Sequence, residues 1–269
     1  KTTQAIQVYR VSDGERVAQY GSDVGWGAVF AERDQFLYFL TRRDSGRVMY
    51  RAKPGEAAEE ITRHSSNVGR GLARDRSGQR LAVLGDKAQF WDLEQQSIVA
   101  FIDGHHEVGS PSRYQVDFQY DGPGVYLFGR EPGKVVLHDL STRQDIRSWD
   151  APMDSGRAVV ASRSGRYLAI TCTRGTFVYD NEIGRRIYLR RFDDYSRSYP
   201  QFSDDESFVA YNSLSAKTLP LPEDGSKPTK GRHDFAGPNH ASAKAWDAPV
   251  YAFAIEGGKI ACYDLASGE

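Results

Sequence analysis

A short strand-like run recurs along this chain at a nearly constant interval, and that interval constrains the fold more than any other feature. It reads Ile6-Gln7-Val8-Tyr9-Arg10, then Val48-Met49-Tyr50-Arg51, then Gln89-Phe90-Trp91-Asp92. It returns as Val136-Leu137-His138-Asp139, Phe177-Val178-Tyr179-Asp180, an eroded Lys217-Thr218-Leu219-Pro220, and Ala261-Cys262-Tyr263-Asp264. Counted between the penultimate residues, the spacings are 41, 41, 47, 41, about 40 and 44. A period of this length marks one supersecondary unit that cannot bury its apolar face alone and must stack on its neighbours.

The stretch from Val68 to Phe101 shows the unit in full. Four short runs, Gly69–Arg74, Arg80–Gly85, Ala88–Leu93 and Ser97–Phe101, are separated by Gly-, Asp- and Ser-containing turns. Apolar runs this short, bounded by turn formers, predict strands rather than helices. The first two strands repeat elsewhere: Ala28-Val29-Phe30 before Phe36–Leu40, Val116-Asp117-Phe118 before Val125–Phe128, and Val159-Val160-Ala161 before Tyr167–Ile170. Gln201-Phe202 likewise precedes Phe208–Tyr211, and Ala245-Trp246 precedes Val250–Phe253. Four strands in 40–45 residues is the measure of a propeller blade.

The expected fold is therefore all-β, a β-propeller of four-stranded antiparallel blades forming one domain over 1–269. Blades are expected near 1–20, 24–62, 68–101, 112–149, 155–192, 198–235 and 241–269. Third strands number seven, but first-and-second pairs only six, so the chain reads as beginning and ending mid-blade, as part of a longer one. Seven blades is the simplest account; a six-bladed ring, with residues 5–20 completing the terminal blade, is the alternative. Two long connections, residues 102–113 and 220–243, read as loops, the second holding an eroded fourth strand near Gly231–Phe235.

These repeats resemble those of WD40-type proteins. Trp91-Asp92 is a true Trp-Asp pair, whereas His138-Asp139, Tyr179-Asp180 and Tyr263-Asp264 keep only the Asp, and Arg10 and Arg51 replace it. Gly104-His105 matches the Gly-His pair of that family, which the other units lack. The resemblance implies a divergent WD40-like propeller, most of whose units depart from the motif behind that family's hydrogen-bond network.

Composition narrows function mainly by exclusion. A formal net charge of −1 gives no global attraction to nucleic acid or membrane, and no apolar run reaches membrane-spanning length. Cys172 and Cys262 stand alone in strand patterns, which predicts free buried thiols. There is no phosphate-binding Gly loop, no zinc-protease motif and no nucleophile elbow. His105-His106 and the group His233, Asp234 and His240 read as loop residues, and Asp193-Asp194 and Asp204-Asp205-Glu206 as turn residues. No catalytic residue, metal or cofactor is expected.

A binding surface is expected instead. Two residues ahead of successive first strands stand Trp26, Arg70, Tyr114, Arg157 and Ser198, several between small neighbours such as Gly25 and Gly27, Gly69 and Gly71, or Gly156 and Ala158. Trp, Tyr and Arg are enriched at binding hot spots. The second-to-third-strand turns, on the same face in WD40-like rings, add Arg42, Arg43, Lys87, Arg130 and Arg174. Acidic residues gather at the opposite turns. This arrangement predicts a non-catalytic scaffold whose top face takes an acidic peptide or protein surface. The alternatives are a propeller enzyme, or an accessory or sensor domain of a larger enzyme, and, less favoured, an anionic polymer such as nucleic acid. The chain reads as cytoplasmic, with a periplasmic or extracellular domain equally compatible with its few cysteines.

Overall fold

The structure is a computed structural model. It describes residues 5–10, 12–21, 24–32, 35–43, 46–65, 71–84, 87–103, 115–128, 133–151, 156–172, 175–191, 200–203, 205–212, 216–221, 233–235, 242–244, 250–255 and 259–264. Among these, every regular element is a strand. The chain divides into two compact units, Lys1–His106 and Glu107–Glu269.

In the first unit, a two-stranded sheet pairs β1 (Ile6–Tyr9) with β2 (Arg16–Tyr20). A four-stranded sheet follows: β3 (Val24–Ala31), β4 (Phe36–Arg43), β5 (Gly46–Ala52) and β6 (Glu59–Ser65). The next is β7 (Gly71–Arg74), β8 (Arg80–Leu84), β9 (Lys87–Asp92) and β10 (Ser97–Asp103). Every pairing is antiparallel and joins sequence neighbours, as short turns dictate.

The second unit repeats the plan. One sheet holds β11 (Gln115–Phe118), β12 (Gly124–Phe128), β13 (Lys134–Asp139) and β14 (Gln144–Asp150). Another holds β15 (Gly156–Ala161), β16 (Tyr167–Cys172), β17 (Gly175–Asp180) and β18 (Arg185–Arg191). A third holds β19 (Gln201–Phe202), β20 (Phe208–Asn212), β21 (Ala216–Pro220) and β22 (His233–Phe235). The last has three strands, β23 (Ser242–Lys244), β24 (Val250–Ile255) and β25 (Lys259–Asp264).

The middle strands read as unbroken apolar runs because both their faces are covered, as in Leu81–Leu84 and Val125–Phe128. In the first unit, Val8 and Tyr20 pack on Leu37, Phe39 and Ala52, with the Tyr20 and Phe39 rings stacked at 5.4 Å. The other face of the β3–β6 sheet, with Tyr38, Leu40 and Met49, meets Leu81, Val83, Trp91 and Leu93. In the second unit, Tyr126, Phe128, Val135, Leu137 and Trp149 pack on Val159, Leu168 and Ile170. Tyr167, Ala169 and Val178 then pack on Phe202, Val209 and Leu221. Burial of this kind is worth about 25 cal/mol per Å² of apolar surface, and it holds the sheets face to face.

One irregularity recurs. Where an outer strand meets its neighbour, the register slips by one residue, leaving a bulged Val17, Ile61, Val99, Ile146 or Ile187. Each is β-branched and aliphatic. In these five sheets the bulge bends the outer strand and raises its local twist.

The expected strands are thus present, down to the eroded β21 and β22. The last sheet's first strand forms at Ser242–Lys244, and the expected Ala245-Trp246 lie outside the described residues. The Cys172 and Cys262 backbones lie in β16 and β25, as expected, and their side chains lie outside the described set.

Candidate functional site

Antiparallel order puts the start of each first strand and the second-to-third turn at one end of a sheet, and the other two turns at the opposite end. The register confirms this locally. Val24 pairs with Thr41, one residue before Arg42 and Arg43, and Gly156 pairs with Cys172, two residues before Arg174.

Two members of the predicted series fall within described strands, and both lie in bulges at that end. Trp26 sits in β3 where the register jumps between Val24 and Ala28; Arg157 sits in β15 where it jumps between Gly156 and Ala158. Bulges re-aim side chains and are over-represented beside functional sites. Their small neighbours also have a packing role. A Cβ on Gly27, whose φ is +149°, would lie 2.9 Å from the Leu72 nitrogen and 3.3 Å from the Gly71 Cα. Glycine here lets β3 approach β7 backbone to backbone.

Arg42 and Arg43 close β4, opposite Arg47 and Gly46 of β5. Lys87 opens β9 and is exposed, and its ammonium pairs with the Asp103 carboxylate of the same sheet at 2.8 Å. Arg70, Tyr114, Ser198, Arg130, Arg174, His105, His106, Asp193 and Asp194 lie outside the described residues.

The opposite end is occupied by its own polar groups. The Asp75 carboxylate accepts hydrogen bonds from the Gln79 and Arg80 backbone N–H groups and the Ser77 hydroxyl, and pairs with the Arg80 guanidinium at 2.8 Å. Glu32 accepts from the Tyr38 hydroxyl at 2.5 Å and takes the Arg51 guanidinium on both oxygens. Asp180 accepts from Arg166 and from the Glu182 N–H. Burial would raise the Asp180 carboxyl, but those donors hold it below the ordinary carboxylate range. Ser164 donates its N–H and its hydroxyl to Glu206, linking two sheets.

Sequence reasoning misses a further set, which ties the β11–β14 sheet to the β15–β18 sheet. Trp149 donates its indole N–H to Asn181 at 2.8 Å, and Asn181 donates its amide to the Gly165 carbonyl at 2.7 Å. Asp117 accepts the Ala161 N–H at 2.8 Å from the adjacent first strand. Burial pushes the Asp117 carboxyl up to about 7, partly offset by the Ala161 and Phe118 N–H groups. It also helps to hold the neighbouring Tyr126 phenol at about 12, an effect led by burial of that ring. The signal for Asp117 is an acid inside the apolar triplet Val116-Asp117-Phe118.

Among the described residues, no group of three or more His, Cys, Asp or Glu is placed to hold a metal ion. Among them too, no helix is long and apolar enough to cross a membrane. No family model and no curated protein matches the chain. Among solved structures, the chain is similar to dihydro-heme d1 dehydrogenase NirN in complex with DHE, with a TM-score of 0.66 at 18% sequence identity. That similarity covers 98% of this chain, which spans 59% of the other. At this identity the likeness is one of fold, and it supports a β-propeller.

Proposed function

We propose that the chain is a divergent, WD40-like seven-bladed propeller acting as a non-catalytic scaffold, with an acidic peptide or protein surface as its partner. The residues offered to the partner are Trp26 and Arg70, with Arg42, Arg43 and Lys87, in the first unit, and Tyr114 and Arg157, with Arg130 and Arg174, in the second. The observation that carries this reading is the placing of Trp26 and Arg157 in first-strand bulges. Each bulge interrupts an otherwise regular ladder at the same end of its sheet. The internal bonding of Asp75, Glu32 and Asp180 at the opposite turns supports it further. Arg70→Glu combined with Arg157→Glu should lower capture of acidic partners at least tenfold at low salt, since reversed charge at a hot-spot position repels the partner. Unchanged pull-down of the same partners would end this assignment.

A second reading takes the chain as the propeller portion of a larger enzyme. It is favoured by the fold shared with a dehydrogenase of which the chain spans 59%. Elemental analysis of the purified protein separates the two readings: a stoichiometric bound metal supports the enzyme, and its absence together with partner capture supports the scaffold.

A further inference from the structure

We propose that the outer edge of β18 docks an acidic extended peptide, which joins the sheet as an added antiparallel strand. Among the described residues this strand is hydrogen-bonded to β17 alone, and its far edge presents backbone N–H and C=O groups with no described strand beside them. Its sequence, Arg185-Arg186-Ile187-Tyr188-Leu189-Arg190-Arg191, holds four arginines and no acid. Across the ladder, Arg186, Arg190 and Arg191 face the uncharged Tyr179, Thr176 and Gly175. Arg185 faces Asp180, which Arg166 already engages at 3.0 Å.

The other long outer strands balance their charges. In β6, Arg63 pairs with Glu60 at 2.6 Å; in β10, Asp103 is matched by Lys87; in β14, Arg147 stands between Asp145 and Asp150. Among these strands, β18 alone carries basic residues with no acidic residue in its own sequence. Exposed Arg186 lies over the Phe177 ring at 5.2 Å and forms no ion pair with any described residue. The bulge at Ile187 leaves Tyr188 to Arg191 in regular register with β17.

A backbone ladder is met by another peptide backbone, and arginine pairs flanking a three-residue apolar centre are met by carboxylates flanking a similar centre. Opposite charges facing each other across an antiparallel pair stabilise it. The occupant is therefore an extended segment with acidic residues on both sides of a β-branched core. The proposal is independent of the loop-end reading.

The test uses the intact protein and a fluorescein-labelled heptapeptide, EEVTVEE, followed by anisotropy at low salt. Saturable binding is expected. Arg186→Glu with Arg190→Glu should weaken it at least tenfold, and N-methylation of alternate peptide amides should do the same while leaving the charge intact. Arg70→Glu with Arg157→Glu should leave unchanged the part of the binding that N-methylation abolishes, because capture of an acidic segment at the loop end does not need its backbone amides. If the charge-reversed protein melts abnormally, the N-methylated peptide on the unaltered protein decides. Equal binding of the N-methylated peptide would overturn the edge pairing, as would tighter binding of a thymidine oligonucleotide of matched charge. Loss of binding in the Arg70/Arg157 variant alone would overturn the β18 site and leave the loop end standing.

Discussion

Two sheet-to-sheet seams of this molecule solve the same packing problem with different chemistry. Between the β3–β6 and β7–β10 sheets the contact is apolar and close. Gly27 brings two backbones together, Glu32 donates its N–H to the Gly78 carbonyl at 2.7 Å, and Trp91 fills the layer with Tyr38, Leu40 and Met49. The Trp91 indole N–H, though buried, finds no hydrogen-bond acceptor among the described residues. Between the β11–β14 and β15–β18 sheets, the corresponding layer is stitched by side chains. Trp149 donates to Asn181, Asn181 to Gly165, and the Ala161 N–H to Asp117. A shared fold thus leaves each seam free to choose between shape and hydrogen bonding. The first is sensitive to volume, the second to partner loss and pH.

The largest expected effect tests the shape-dependent seam. Gly27→Val puts a branched side chain where a Cβ alone would lie 2.9 Å from the Leu72 nitrogen, in a conformation that side chains rarely adopt. Strain of this kind costs about 1–3 kcal/mol, and the backbone clash adds to it, so a loss of about 4 kcal/mol in urea unfolding is expected. The same change at Gly14, where a Cβ would meet nothing within 4 Å, pays only the positive-φ strain and should cost less than half as much. Equal losses at the two sites would show that φ rather than close approach governs the β3–β7 contact.

A pH series tests the polar seam. The Asp117 carboxyl is raised to about 7 in the folded chain against an ordinary value of 3.8, so the folded state holds its proton more tightly than the unfolded chain does. That contribution is fully present below about pH 4 and is lost as pH rises through 7. Between pH 5 and 8 the unaltered protein should lose about 3 kcal/mol from this group, at about 1.36 kcal/mol per pKa unit. Asp117→Asn should remove that part of the slope. Asp180, held below its ordinary range, acts in the opposite sense, and its contribution is lost only as pH falls into the acid range. A slope between pH 5 and 8 that survives Asp117→Asn would assign the dependence elsewhere.

Most of the strands are legible in the sequence because the repeat supplies a register that no single segment could. Lys217–Pro220 has a weak strand pattern of its own, yet the spacing from Tyr179 predicts it, and it forms β21. The first strand of the last sheet is less legible, because Ser242–Lys244 has little strand pattern of its own and its place is set by pairing Ser242 to Phe253 and Lys244 to Tyr251. The bulges that hold Trp26 and Arg157 are properties of a pair of strands and leave no mark in either alone. Asp117 is visible as an acid among apolar residues, but its partner lies 44 positions away, and only the stacking of β11 on β15 joins them. The charge of Lys87 is visible too, whereas its pairing with Asp103 depends on the β9–β10 register.

The smallest expected effect separates the seams most directly. Trp91→Phe and Trp149→Phe remove the same atoms from buried layers, since the two indoles are each 6% exposed. The transfer and cavity costs should therefore be similar. What differs is the partner left behind. Removing the Trp91 indole N–H abandons no acceptor among the described residues, whereas removing that of Trp149 strips Asn181 of its donor inside the seam. An unsatisfied buried polar group costs about 1–3 kcal/mol, so Trp149→Phe should destabilise by about 1 kcal/mol more than Trp91→Phe. Combining Trp149→Phe with Asn181→Ala isolates the pair, and a coupling energy of about 1 kcal/mol is expected in the double-mutant cycle. Trp91→Phe with the same Asn181→Ala should be additive, because Trp91 has no bond to Asn181 to lose. Additivity in both cycles would mean that the Trp149–Asn181 bond contributes nothing beyond packing. The contrast between a seam held by shape and a seam held by hydrogen bonds would then reduce to Asp117.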